Sequence, residues 1–336
     1  MTNDLWLNWA PPLAHVSYVV DPEKLEALSG SDWAYFLSPL SDPFYVTLIV
    51  VTLVVVVTLY AACELLRPLR TFCREIHNRL LIHLEYVPLA LRLSLGVALI
   101  VAGVGDVIFV PNVPAGGIGG LEVGIGFCLV SGFMVRASGV AALSVFVYGM
   151  TQSHVLLGTL ESAAAALLVI AHGPHRPSTD NVLDMDPLGK SLKPMWDKIS
   201  DLTPVILRLS LGTTLIWLAI TEKFFNPRVC EAVVIDYDLM SVIPVSTAMW
   251  VFSVSAIELA VGLILVLGLY TRSFALIALV VLSLSFFYFK EEVAGHVTFF
   301  GALIVIIVTG AGRWSIDSLI ARVTRNVTGT AQPYEI

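Results

Sequence analysis

An all-α, polytopic integral membrane fold is the architecture the sequence predicts, and three observations predict it. Of the 336 residues, 57% are hydrophobic and only 13% charged, against roughly 45–50% and about 25% in soluble domains. Mean hydropathy is +0.85. Such a chain cannot cover itself with polar groups in water. Second, long apolar runs recur along the chain. Each reaches, or nearly reaches, the ~20 residues that a helix needs to cross about 30 Å of hydrocarbon. Third, basic residues gather in alternate gaps between those runs. The composition excludes a cytosolic enzyme and a disulfide scaffold. A net charge of -7 is the wrong sign for a nucleic-acid binder. Cys63, Cys73, Cys128 and Cys230 form no CxxC, so they imply neither a zinc site nor an obligatory disulfide.

Residues 1–43 form a polar, proline-interrupted segment without the basic and apolar regions of a cleaved signal peptide. Trp6, Trp9, Trp33, Tyr35 and Phe36 suit either a membrane interface or a small ordered cap. The apolar runs then predict nine spans, near 44–66, 87–110, 117–135, 137–152, 154–172, 204–225, 246–270, 272–290 and 294–312. Gly132 to Gly139, with Arg136 between them, separates the third span from the fourth, and Gly268 to Arg272 separates the seventh from the eighth. Residues 67–86 carry Arg67, Arg70, Arg74 and Arg79, and include an amphipathic stretch with His77 and His83. The linker 184–203 carries Lys190, Lys193 and Lys198, and the tail 322–336 follows Arg313 and Trp314. Nine spans put these basic regions, with Arg136 and Arg272, on one side. The positive-inside rule makes that side cytoplasmic, with the N-terminus outside. The sequon at Asn326 then faces the cytoplasm and is discounted.

The chain repeats itself. Leu91 to Gly96 (LRLSLG) recurs as Leu207 to Gly212. Glu122, Gly126, Gly132 and Arg136 match Glu258, Gly262, Gly268 and Arg272 at one offset, and Gly173, Arg176, Ser178 and Asp180 match Gly310, Arg313, Ser315 and Asp317. Three blocks in one order predict a lone span, 44–66, followed by two parallel four-helix repeats, 87–183 and 204–321. Gly116, Gly117, Gly119 and Gly120 open the third span. No Lys-Ser/Thr follows, so close helix packing is expected there rather than a phosphate loop.

These residues resemble the DoxX family of four-span membrane proteins. LRLSLG, then IELAVGLILVLGLYTR, then GAGRWSID carry the resemblance in residues 204–321; residues 87–183 carry it less completely, closing on GPHRPSTD. It implies a prokaryotic plasma membrane location and a role as a membrane subunit of redox systems, with thiosulfate:quinone oxidoreductase as the named example. Bound lipids and other membrane subunits are the partners it implies, and quinone the ligand.

Ionisable side chains inside spans are costly and raise a functional hypothesis by default. Glu122 and Glu258 each lie fourteen residues before their turn arginine, about 21 Å along the helix. Asp106, His154 and Glu161 fall at a similar depth in the first repeat; Glu222, Lys223 and His296 do so in the second. His154 and Glu161 are seven apart, which places them on one helical face. Lys223 is expected to pair with Glu258 or Glu222. A couple such as Glu258 with His296 has the chemistry to give and take a proton at a quinone carbonyl. The alternative for each is that the polar groups bond one another and hold helices together, each contact contributing about 0.6 kcal/mol. Arg92 and Arg208 are expected to snorkel, or to bond Asp180 and Asp317. No histidine pair suits haem, and no cluster suits a metal.

These residues frame three functions. One is a non-catalytic membrane subunit of a redox complex, with candidate quinone or proton-handling residues Glu258, His296, Lys223, Glu122 and His154. The others are a small-molecule or proton transporter, and a purely structural scaffold subunit. No nucleophile-base constellation supports a self-contained enzyme.

Overall fold

The computed structural model describes residues 16, 19–65, 75–76, 78–184, 186, 189, 191–320 and 322. The described chain is all-α; its only β feature is an isolated antiparallel bridge between Val107 and Pro114. The helices are α1 (Pro22–Leu28), α2 (Trp33–Leu37), α3 (Pro43–Leu65), α4 (Val87–Val104), α5 (Gly119–Ser131), α6 (Val135–Gln152), α7 (Leu160–His172), α8 (Thr179–Leu183), α9 (Lys193–Ser200), α10 (Thr203–Leu218), α11 (Pro227–Asp236), α12 (Leu239–Val242), α13 (Thr247–Leu267), α14 (Thr271–Phe289) and α15 (Ala294–Thr309). A π-turn, Ala219–Phe224, prolongs α10, and a 3₁₀ turn, His154–Thr159, precedes α7.

A helix stands at each of the nine expected spans. Five segments are long and apolar enough to cross a membrane: Leu84–Val104, His154–His172, Thr203–Phe224, Thr247–Leu267 and Thr271–Phe289. A sixth, Trp33–Ser41 with Pro43–Thr58, is bent by 78°. The apolar α5 and α15 are shorter, at 13 and 16 residues, or about 20 and 24 Å. The expected helix 87–110 stops at Val104, because Gly105, Pro111 and Pro114 cannot extend it and Asp106 and Phe109 take positive φ. Residues 105–118 instead form an irregular loop that buries Ile108, Phe109, Val110 and Val113. His77, Arg67, Arg70, Arg74, Lys190, the tail beyond residue 322 and the aromatic residues Trp6 and Trp9 lie outside the described residues.

One compact unit comprises residues 1–82 and 218–259. Its described N-terminal residues build two short helices, α1 and α2. Asp21 caps α1 through the Glu23 N–H, Pro22 opens that helix, and Asp32 caps α2 through the Tyr35 N–H. Val16, Val20 and Phe36 pack on Val229, Cys230 and Val234 of α11 and on Val251 of α13. Gly30, at φ +133, donates to Asn226 Oδ1 at 2.9 Å. From α2 the chain turns into α3, whose apolar residues are exposed all round, Val50, Val54 and Val57 among them. A helix apolar on every side suits lipid.

The other compact unit comprises residues 83–217 and 260–336. Here α4 packs on α5, α7 and α15, and α15 also packs on α7 and α14. Glycines set the closest approaches. A Cβ on Gly126 would lie 2.6 Å from the Gly96 carbonyl oxygen, and one on Gly262 would lie 2.8 Å from that of Gly212. Only a missing side chain permits backbones so near. Gly119 meets Gly103 in the same way, whereas Gly116 and Gly117 turn the chain at positive φ.

The repeated polar residues build the same clasp twice. Asp180 accepts from the Met134 and Val135 N–H groups at 2.7 and 2.8 Å, and its own N–H donates to Gly132 O at 3.0 Å. Asp317 accepts from Tyr270 N–H at 2.8 Å and Thr271 N–H at 3.3 Å, and its N–H donates to Gly268 O at 3.0 Å. Arg92 donates to Pro177 O at 2.7 Å, and Arg208 to Val266 O and Trp314 O. Both arginines are buried, at 3% and 2% exposure. They do not snorkel, and their hydrogen bonds go to carbonyls rather than to the aspartates. The carboxylates satisfy orphan N–H groups at helix starts, and the guanidinium forks satisfy orphan carbonyls at helix ends.

Candidate functional site

Two groups of buried ionisable residues stand out, one in each compact unit. The first is built on the π-turn. Wider turns of this kind free carbonyls and concentrate at functional sites. Phe225 N–H reaches back to Ile220 O at 3.1 Å, and the carbonyls of Thr221 and Glu222 are taken by Asn226 Nδ2 at 2.7 Å and Cys230 Sγ at 3.4 Å. The turn carries Glu222 and Lys223 side by side. Glu222 is fully buried and Lys223 is 8% exposed.

Lys223 Nζ lies 2.8 Å from Glu258 Oε2 and 3.5 Å from Glu222 Oε2. Both expected partners are therefore engaged by one ammonium. Glu222 Oε1 also accepts the Val16 N–H at 3.2 Å, which ties the N-terminal cap to the charged group. Aromatic rings cluster beside the turn: Phe36 stacks on Phe224 at 4.6 Å and on Phe252 at 5.5 Å, with Trp33 edge-on to Phe224 at 6.2 Å. Two carboxyls around one ammonium leave a net negative charge when both are ionised and a neutral group when one of them holds a proton. One proton gained or lost changes the balance of the group.

Two neighbours on the polar side of this unit are electrostatically plain. Burial pushes the Cys230 thiol up to about 12 against the pull of Lys223, so it stays protonated and inert. Asp32 is held below its usual carboxylate range, first by the Tyr35 N–H and then by Arg228, whose Nη2 is 2.8 Å away. The Arg228 guanidinium also stacks on the Tyr35 ring at 3.9 Å and bonds Glu231 at 2.7 Å.

In the other unit, His296 Nε2 sits 2.6 Å from Glu291 Oε2, and its Nδ1 is 2.7 Å from the Glu292 carbonyl oxygen. Glu161 is fully buried and accepts from Thr214 Oγ1 at 2.9 Å. Within its own unit Glu258 pairs with Lys223, and within the other unit His296 pairs with Glu291.

The remaining candidates separate. Glu122 is fully buried beside the loop 105–118, and neither carboxyl oxygen meets hydrogen-bond geometry with a described residue; its nearest polar neighbour is the Phe109 amide. His154 is exposed, and so is Asp106. The shared face expected for His154 and Glu161 is corrected: residues 154–159 form a 3₁₀ turn with three residues per turn, which breaks the α-helical register. His172 bonds Thr203 at 2.9 Å, distant in sequence from both groups. Sequence reasoning missed Glu291, although its place five residues before His296 was a usable signal. It also missed Thr214, since a threonine in an apolar helix gives no signal. Among the described residues, no cluster of three metal-ligating side chains occurs.

Comparison with known proteins places a recognised family on part of this chain. Residues 203–291 match the DoxX family model. That stretch holds α10, the π-turn, α11 to α14 and therefore Glu222, Lys223 and Glu258. No curated protein and no solved structure matches the chain.

Proposed function

We propose, taking as premise that residues 203–291 of this polytopic membrane chain are a DoxX segment, that the protein is a non-catalytic membrane subunit of a quinone-linked redox complex. The observation that carries the reading is the Glu222–Lys223–Glu258 group, gathered around a π-turn inside the family segment whose Phe224 belongs to a cluster of aromatic rings.

Its chemistry fits a quinone as substrate. The Lys223 ammonium is a donor for a quinone carbonyl oxygen. The Glu258 carboxyl, 18% exposed against 1% for Glu222, is the member best placed to exchange a proton. Phe224 and Phe252, both partly exposed, would supply apolar surface for a ring. Electrons would come from partner subunits; this chain would bind, orient and move the proton. Glu122 occupies the corresponding place in the first repeat, yet a backbone amide rather than an ammonium lies beside it. The reading therefore assigns the site to the second repeat alone.

Gentle extraction from native membranes, followed by native mass spectrometry, is the test. Cofactor-bearing subunits should co-purify. Glu258→Gln should leave that assembly intact while lowering quinone-coupled turnover by about 10²–10⁴-fold, as for a lost proton-transfer group. Full turnover in the variant would sink the site. A solitary chain that drives solute uptake in proteoliposomes would replace the subunit reading with transport.

A further inference from the structure

The residues around His296 share a feature with no part in the quinone reading. Their exposure falls steadily from the turn after α14 into the helix pack of residues 83–217 and 260–336. Glu292 is exposed, the Glu291 side chain is 13% exposed, His296 7%, and Glu161 and Thr214 are fully buried. Ser285 Oγ donates to Glu291 Oε1 at 3.0 Å and steadies it.

The hydrogen bonds define the protons. The Glu292 carbonyl can only accept, so His296 Nδ1 carries a hydrogen. His296 Nε2 and Glu291 Oε2, at 2.6 Å, then share one further proton, written either as imidazolium with carboxylate or as imidazole with carboxylic acid. Glu161 and His296 both stand in the first turns of their helices, α7 and α15, which pack on one another, so the carboxyl and the imidazole act on each other electrostatically. Its Oε2 accepts from Thr214, while its Oε1 meets hydrogen-bond geometry with no described residue, although the Glu161 amide N–H stands beside the carboxyl. A buried carboxyl oxygen without a donor is costly as an anion and much less so as an acid.

Arg92, Arg136 and Arg208, on the helices around α7, are bound to backbone carbonyls at the opposite helix ends. Lys193, Asp197 and Lys198 belong to α9, which sits with Arg136 near Ile170. His154, Tyr148, Tyr288 and Lys290 are exposed.

We infer that Glu161 and the His296–Glu291 pair form a proton-binding site, filled from the turn 290–293 and ending at Glu161. Its ligand is a proton, stored in apolar surroundings. Arriving from solvent, the proton joins the His296–Glu291 pair, and Glu161 is the inner acid coupled to it through space.

Infrared difference spectra of the full chain in lipid nanodiscs, titrated with pH in H₂O and D₂O, test this. In a Glu122→Gln background, which removes the other fully buried carboxyl that lacks a partner, a protonated-carboxyl C=O band should titrate and should vanish when Glu161→Gln is added. Thr214→Val, which preserves shape, should keep the band but shift its frequency, because a hydroxyl donor is lost. His296→Gln should move its midpoint by about one pH unit. A band that survives Glu161→Gln overturns the site, as does a midpoint indifferent to His296→Gln. If Glu161→Gln fails to fold, the Thr214→Val frequency decides alone, and an unshifted band overturns the assignment.

Discussion

Lys223 shows how a single side chain decides the character of a region. Glu222 and Glu258 are separated by 36 positions in the chain, yet one ammonium serves both. Removing it strands two buried carboxyls. Lys223→Met should therefore cost about 3–5 kcal/mol of stability, read as a fall in melting temperature in detergent. The double variant Lys223→Met, Glu258→Gln should recover part of that loss, with a coupling of about 0.5–3 kcal/mol. Strict additivity of the two losses would mean that the pair is not formed. Asp32 gives a milder, pH-dependent case. Its carboxyl is held below the usual value near 3.8 in the folded chain. A lowered acid contributes stability above its unfolded value and loses it as pH falls through the folded one. Proteolysis of the segment 22–41 should accelerate as pH drops below about 4, and Asp32→Asn should flatten that acid limb. An unchanged limb would remove Asp32 from the docking of the cap. The sequence marked Lys223, Glu258 and Glu122 alike as buried charge. It could not say which carboxyl received the ammonium, because the partner is set by a π-turn that no local pattern announces.

Elements here are shaped by glycine and proline as much as by apolar periodicity. The glycines that repeat in α4, α5, α10 and α13 were legible only as marks of the repeat, and two close helix crossings use them. Gly262→Ala pushes a Cβ to 2.8 Å from the Gly212 carbonyl, and overpacking of this kind costs about 1–3 kcal/mol. Gly124 has nothing within 4 Å of the same position, so Gly124→Ala should be neutral or stabilising by up to about 1 kcal/mol through helix propensity. Thermal melts of the two variants should diverge in opposite directions. If both melt like the parent, the close crossing is wrong. The clasp residues Arg92, Arg208, Asp180 and Asp317 were recognised as structural from the repeat alone. Their bonding was misjudged, since a charge near a helix end was read against lipid headgroups instead of against unpaired backbone groups. The loop 105–118 was misread as helix for a related reason. Its buried Ile108, Phe109 and Val110 look like a span, and apolar content does not reveal a chain reversal inside an apolar setting.

For the molecule as a whole, the sides of the membrane remain to be measured, and charge makes a definite prediction. Lys24→Cys should react with an impermeant thiol reagent on intact cells. Trp314→Cys, exposed at 72%, should react only after permeabilisation. The reverse pattern would invert the topology. The sequence by itself determined that this is an all-helical membrane protein, where its helices stand, and which polar residues recur. Lipid enforces that much, because a backbone without water must bond to itself, and uninterrupted apolar runs can do so only as helices. Tertiary structure alone decided that residues 16–41 dock on α11, that Lys223 serves Glu222 and Glu258, and that His296 turns to Glu291. Those choices follow from which groups lie within a few ångströms once the helices pack, and in a medium of low polarity a buried charge goes to the nearest partner that can neutralise it.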